Sequence, residues 1–147
     1  MKDRFTRGFI AGAVGGGFTN IFGYISFNVF NFTDLRFLDY AAVAMFGRKS
    51  ENLLELLFAL SGQIAFSALL GVIFAFLLPY ISSVHVYFKG WFYSVTVWFA
   101  IYAVTVLFQV PAVSEVNLNT AFSNLIAASI YGIVLPYVML WLEKNNV

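Results

Sequence analysis

From Gly8 to Phe30 the chain carries no charged residue, and three further stretches repeat the pattern. The second runs from about Leu53 to Leu78 with Glu55 as its one charge, the third from about Gly90 to Val110, the fourth from about Thr120 to Leu142. A hydrocarbon core about 30 Å thick needs roughly 20 apolar residues per helix, and each stretch is that long. Backbone groups in hydrocarbon have no water to bond, so each such segment must satisfy itself as a helix. The pattern therefore predicts an all-α integral membrane protein of four transmembrane helices, forming one membrane domain over residues 1–147. Composition agrees: 61% of residues are hydrophobic and 10% charged, against about 25% charged in soluble domains.

Prolines and caps mark the connections. Pro79 closes the second span and Pro111 follows the third. Ser50 with Glu51 offers a start for the second, and Asn117 or Asn119 a cap for the fourth. With four spans both termini share a side. That side collects Lys2, Arg4, Arg7, Lys89 and Lys144, against Arg36, Arg48 and Lys49 on the other. The excess predicts a multi-pass protein with both termini in the cytoplasm. The length and scattered glycines of the first span argue against a cleaved signal peptide.

The one long connection spans about Asn31 to Asn52. Thr33 can cap a helix over residues 34–46, and Gly47 can close it. Leu35, Leu38, Ala42, Met45 and Phe46 then share a side, as expected of an interfacial helix after the first span. Asp39 falls close to that apolar side, so packing against the bundle is the alternative.

Small residues mark a second pattern. At 100° per residue, Gly8, Gly12, Gly15, Gly16, Thr19, Gly23 and Ser26 fall within about 100° of arc. Lipid gains nothing from a smooth face, whereas a neighbouring helix gains close backbone contact. This is the expected helix-packing face. Gln63, Ser67 and Gly71 follow one ridge of the second span, and Thr120, Asn124, Ala127, Ala128 and Gly132 one side of the fourth. Pro136 follows Gly132 by four residues, which predicts a kink there.

In the third span Trp91, Ser94, Trp98, Tyr102, Thr105 and Gln109 share a narrow stripe. It reads either as an aromatic helix interface or as a ligand wall, built on Trp91, Trp98 and Tyr102, for a flat or amphiphilic molecule such as a quinone or lipid. Asn20, Gln63, Ser67, Gln109 and Asn124 supply either bonds between helices or a narrow polar path. No charge lies mid-span, which argues against ion-coupled transport. Seven of the 15 charges fall between Asp34 and Glu55. Asp34, Arg36, Asp39, Arg48 and Lys49 among them form a candidate docking site for a partner, with the solvated loop as the plainer reading.

Other functions lack residues. The net charge of +1 gives no footprint for nucleic acid. Cysteine is absent and His85 is the one histidine, which excludes thiolate or multi-His metal sites. Serine–histidine–aspartate chemistry would need His85 across the membrane from Asp34 and Asp39, and no phosphate-binding or paired-histidine motif occurs. No cofactor and no catalysis are expected.

The glycine-rich first span followed by "FNFTDLRFLDY", and then "GQIAFSALLGVIFAF", resembles small multispan membrane proteins of spore-forming bacteria, of the YqhR-like kind. The resemblance covers mainly the first half of the chain. It implies a bacterial cytoplasmic membrane and no site residues. The resulting expectation is a non-enzymatic polytopic membrane protein acting through helix-packing assembly, as a homo-oligomer or an accessory subunit. Its partners are then the lipid bilayer and itself or another membrane protein. The alternative is a channel or transporter for a small uncharged solute; an enzyme acting on lipid ranks third.

Overall fold

The computed structural model describes residues 3–81 and 84–145, so Lys2 lies outside the described residues. Five α-helices follow one another: α1 Arg4–Asn28, α2 Phe37–Phe46, α3 Leu53–Leu77, α4 Val86–Leu107 and α5 Leu118–Lys144. A 3₁₀ turn, Leu78–Tyr80, extends α3 through Pro79. All but α2 are long and apolar enough to cross a bilayer. Phe9, Phe18, Phe66, Phe76, Phe92 and Phe99 lie exposed on the outer surface.

The ends are set locally. Asp3 caps α1, accepting from the Phe5 amide at 2.9 Å. Asn52 caps α3 through the Glu55 amide at 2.9 Å. The Ser50 start is thereby corrected, since the amide oxygen of Asn52 sits one residue before the first helical turn and takes the orphan donor. Asn117 caps α5 through the Thr120 amide at 2.8 Å, and its side-chain nitrogen also holds the Asp34 carboxylate. α1 and α4 both begin four residues earlier, and end two and three residues earlier, than the sequence suggests.

Around the bundle the helices run α3, α1, α5, α4, with close contact across the first three pairs and little between α3 and α4. The glycine face of α1 explains the first contact. A Cβ at Gly8 would lie 2.8 Å from Val72 Cα, and one at Gly12 2.9 Å from Ala68 Cα. One at Gly16 would lie 2.7 Å from the Ser67 side chain. Gly15 faces α5, where its missing Cβ leaves room for the Tyr131 ring at 2.9 Å. Ser26 continues this side, its hydroxyl 2.7 Å from that of Ser123. Gly23 does not belong to this contact, as only the Arg36 side chain comes within 3.8 Å of its Cβ position. The chain has turned toward α2 there, and the neighbouring backbone has fallen away.

The α4–α5 contact has the same logic. Pro136 has no N–H, so the Gly132 carbonyl lacks its helical partner. The Cα hydrogen of Gly90 that a Cβ would replace points at that carbonyl, and the same Cβ would lie 2.8 Å from Pro136 Cγ. A Cα–H···O contact and a proline ring thus fill one notch. α5 runs unbroken through Pro136 to Lys144.

Of the two placements open to α2, the structure has it packed on the bundle. Leu38 and Ala42 meet Ala59 of α3, while Leu35, Tyr40 and Val43 enclose Val113 of the α4–α5 connection. The helix begins at Phe37 rather than after Thr33, because Thr33 turns inward and donates its hydroxyl to the Leu35 carbonyl at 2.9 Å. Asp39 supplies the start instead, accepting the Arg36 amide at 2.7 Å. Gly47, at φ 71°, closes α2 as the sequence suggests. Substituting Asn117 with alanine removes the α5 cap and the hold on Asp34 together. We expect a loss of about 1–2 kcal/mol, read by unfolding in detergent.

Candidate functional site

Because α3 and α4 stand apart, a cavity of about 310 Å³ opens between them. Its walls are Phe66 and Leu70 on α3 and Val97, Trp98 and Ile101 on α4. Thr19, Ala128 and Tyr131 form its back, and the Phe37–Met45 side of α2 forms one end. At the other end the two helices are bridged: the Tyr93 hydroxyl donates to the Leu70 carbonyl at 2.8 Å, and the Tyr93 and Phe74 rings lie 5.2 Å apart.

Most polar groups around the cavity are spent on the fold. The Tyr131 hydroxyl crosses beneath α1 and donates to the Ser67 carbonyl at 2.6 Å. Ser94 donates to the Ala128 carbonyl at 2.6 Å, and Thr19 to the Gly15 carbonyl at 2.7 Å. The Gln63 side-chain oxygen accepts from Asn20, which also donates to the Gly16 carbonyl at 2.8 Å. Two atoms of lining residues, Trp98 Nε1 and the Tyr40 hydroxyl, make no well-formed hydrogen bond among the described residues, and both are enclosed by protein rather than open to the cavity. Tyr40 is stacked on Tyr102, ring centroids 5.8 Å apart, and Tyr102 touches Trp98 at 5.0 Å. Burial, then the neighbouring Tyr102, holds the Tyr40 hydroxyl above the ordinary phenol range.

The expected ligand wall is thus rearranged. Trp98 lines the cavity; Tyr102 stands behind it, its hydroxyl accepting from Asn124 at 2.8 Å. Trp91 points elsewhere, donating its indole N–H to Ser129 at 2.9 Å on the outer surface. Trp91 shares the angular position of Trp98 but lies about two turns nearer the start of α4, past the end that Tyr93 bridges, so its place along the helix excludes it.

Most of the polar side chains bond to neighbouring groups. Asn20 joins Gln63 across α1 and α3, and Asn124 joins α5 to Tyr102 of α4 and to the Leu35 carbonyl at 3.2 Å. Gln109 takes no part: it lies past the end of α4 at φ 48°, donating to its own Val106 carbonyl. The loop charges likewise turn on each other. Arg36 pairs with Asp39 at 3.1 Å and lies over the Phe27 ring. Arg48 grips both oxygens of Glu55 at 2.9 Å, and Lys49 reaches the Asp34 carbonyl at 3.4 Å. Arg7 pairs with Glu143 at 3.4 Å, which brings the start of α1 and the end of α5 to one end of the bundle.

Sequence reasoning missed Tyr93 and Tyr131. Both sit well inside their helices, away from the ends where tyrosine usually anchors a span. A mid-span phenol needs a partner, and that was the available signal. Comparison with protein-family models, curated proteins and solved structures returns no match for this chain.

Proposed function

We infer that this is a non-enzymatic, multi-pass membrane protein that takes a bilayer-resident molecule laterally into the cavity between α3 and α4. The resemblance to YqhR-like proteins supports a bacterial cytoplasmic membrane, and the Lys and Arg distribution supports cytoplasmic termini. The observation that carries the reading is the open α3–α4 pair with its apolar lining. Ligand pockets of about 300–1,000 Å³ are usual, so this one suits a ring or headgroup whose tail leaves through the gap. The lining has no carboxylate, lysine, arginine or histidine, which favours holding over proton transfer.

Self-assembly through the glycine face is less favoured, because α3 and α5 of the same chain already cover Gly8, Gly12, Gly15 and Gly16. Assembly as an accessory subunit keeps one supporting observation: α4 rests mainly on α5 and leaves most of its surface outward.

Filling the cavity tests the reading. Val97→Phe is expected to cut co-purifying small molecules at least tenfold, counted by native mass spectrometry after mild extraction, while thermal stability holds or rises. Unchanged ligand content would remove the proposal. Loss of a protein partner in place of a small molecule would favour the accessory-subunit reading.

A further inference from the structure

We propose that the cavity holds a rigid, uncharged fused-ring hydrocarbon, the ring system of a polycyclic lipid, in preference to a flexible chain or a polar headgroup. This rests on the reading of the cavity as a ligand site and narrows the ligand to a ring.

Depth comes first. Phe66 lies one residue past the middle of α3, and Val97 sits at the middle of α4. In a hydrocarbon core about 30 Å thick those positions are about 15 Å from either surface, out of reach of a headgroup anchored there. The polarity of the lining agrees. Its hydroxyls are turned into the protein: Tyr131 donates to the Ser67 carbonyl, Ser94 to that of Ala128 and Thr19 to that of Gly15. Trp98 and Tyr40 enclose their polar atoms and leave ring carbon to the cavity. A polar atom of the ligand would lose its partners on entering, at a cost in free energy. The part held inside is therefore hydrocarbon.

Hydrocarbon alone does not set a ligand apart from the bilayer, whose tails are as apolar as leucine. Selection has to come from shape. An acyl chain entering the cavity gives up rotational freedom and gains only dispersion contacts it already has among other tails. A fused ring has no such freedom to lose, so close contact with the walls is kept in full. The walls suit that contact. The hydroxyl bonds fix Tyr131 and Ser94, and Val97 and Ile101 are branched at Cβ and stiff about χ1. α2 at one end and the Tyr93–Leu70 bond at the other hold α3 and α4 at their spacing.

The full chain, reconstituted in phosphatidylcholine nanodiscs, is titrated with three neutral probes, and binding is followed by native mass spectrometry. Cholestane is a fused tetracyclic hydrocarbon, heptacosane is the straight-chain alkane of equal carbon number, and dioctanoylglycerol is a flexible ester. Cholestane is expected to bind about tenfold tighter than either of the others. Val97→Phe fills the cavity from α4 and Ala41→Leu fills it from α2, and each is expected to weaken cholestane about tenfold. Heptacosane or dioctanoylglycerol bound as tightly as cholestane, at a site both variants close, would overturn the ring assignment and leave the cavity reading standing. So would an absence of cholestane binding while Val97→Phe still strips co-purifying molecules. Cholestane binding that survives both variants would overturn the cavity as its site.

Discussion

A valine at position 12 is expected to prise α1 from α3. The Cβ alone would lie 2.9 Å from Ala68 Cα and 3.0 Å from Gly71 Cα, and it would press on the Ser67 carbonyl. All three are backbone atoms, so no rotamer change relieves them. The helices must separate, and the Asn20–Gln63 bond and the Gly8 contact with Val72 stretch with them. Overpacking usually costs about 1–3 kcal/mol, and a clash of two backbones belongs at or above the top of that range. Reversible unfolding in mixed micelles measures it. Gly17→Ala is the control, since nothing lies within 4 Å of its Cβ position. It is expected to be neutral or stabilising by up to about 1 kcal/mol, the ordinary helix preference for alanine. Equal losses in the two variants would mean that intrinsic helicity, not close approach, governs this face.

Gly90→Val is the second large effect. Its Cβ would meet the Gly132 carbonyl and lie 2.8 and 3.0 Å from Pro136 Cγ and Cδ. α4 is otherwise held by a handful of contacts, among them the Tyr93–Leu70 bond, Ser94 on Ala128, Trp91 on Ser129 and Tyr102 on Asn124 and Tyr40. A loss of about 2–3 kcal/mol is expected. Ligand binding should fall with it, because Trp98 and Val97 ride on α4. A coupling test separates contact from general damage. Pro136→Ala removes the ring atoms that obstruct Gly90→Ala, so the pair should cost less than the sum of the two single changes. Strict additivity would show that the notch is not what seats α4.

How much of this was legible depends on how local each cause is. The helices long enough to span a bilayer follow from uncharged stretches alone, because hydrocarbon leaves the backbone only its own hydrogen bonds. Gly47 closing α2 and Asn117 capping α5 are also local, each fixed by one residue's shape or reach. The start of α2 was misread because Thr33 and Asp39 both offer an acceptor, and the inward turn of Thr33 depends on groups distant in sequence, among them Thr120 bonding Asp34. In the stripes, the sequence could name the faces of α1 and α4 but not their ends. Both Gly23 and Trp91 have the right angular position, yet at Gly23 the opposing helix has already moved away, and Trp91 lies past the cavity and turns onto Ser129 of α5.

The amino-acid order by itself determined five helices, which of them are apolar enough to cross a membrane, and which side of α1 is smooth enough to let another backbone approach. Only the tertiary structure decided that this other backbone is α3 of the same chain, that Tyr131 fills the space beside Gly15, and that α3 and α4 remain apart. The reason is geometric. A helix face is written in one segment at fixed angular spacing, whereas a cavity is the space left after several faces have found one another, and no single segment encodes it.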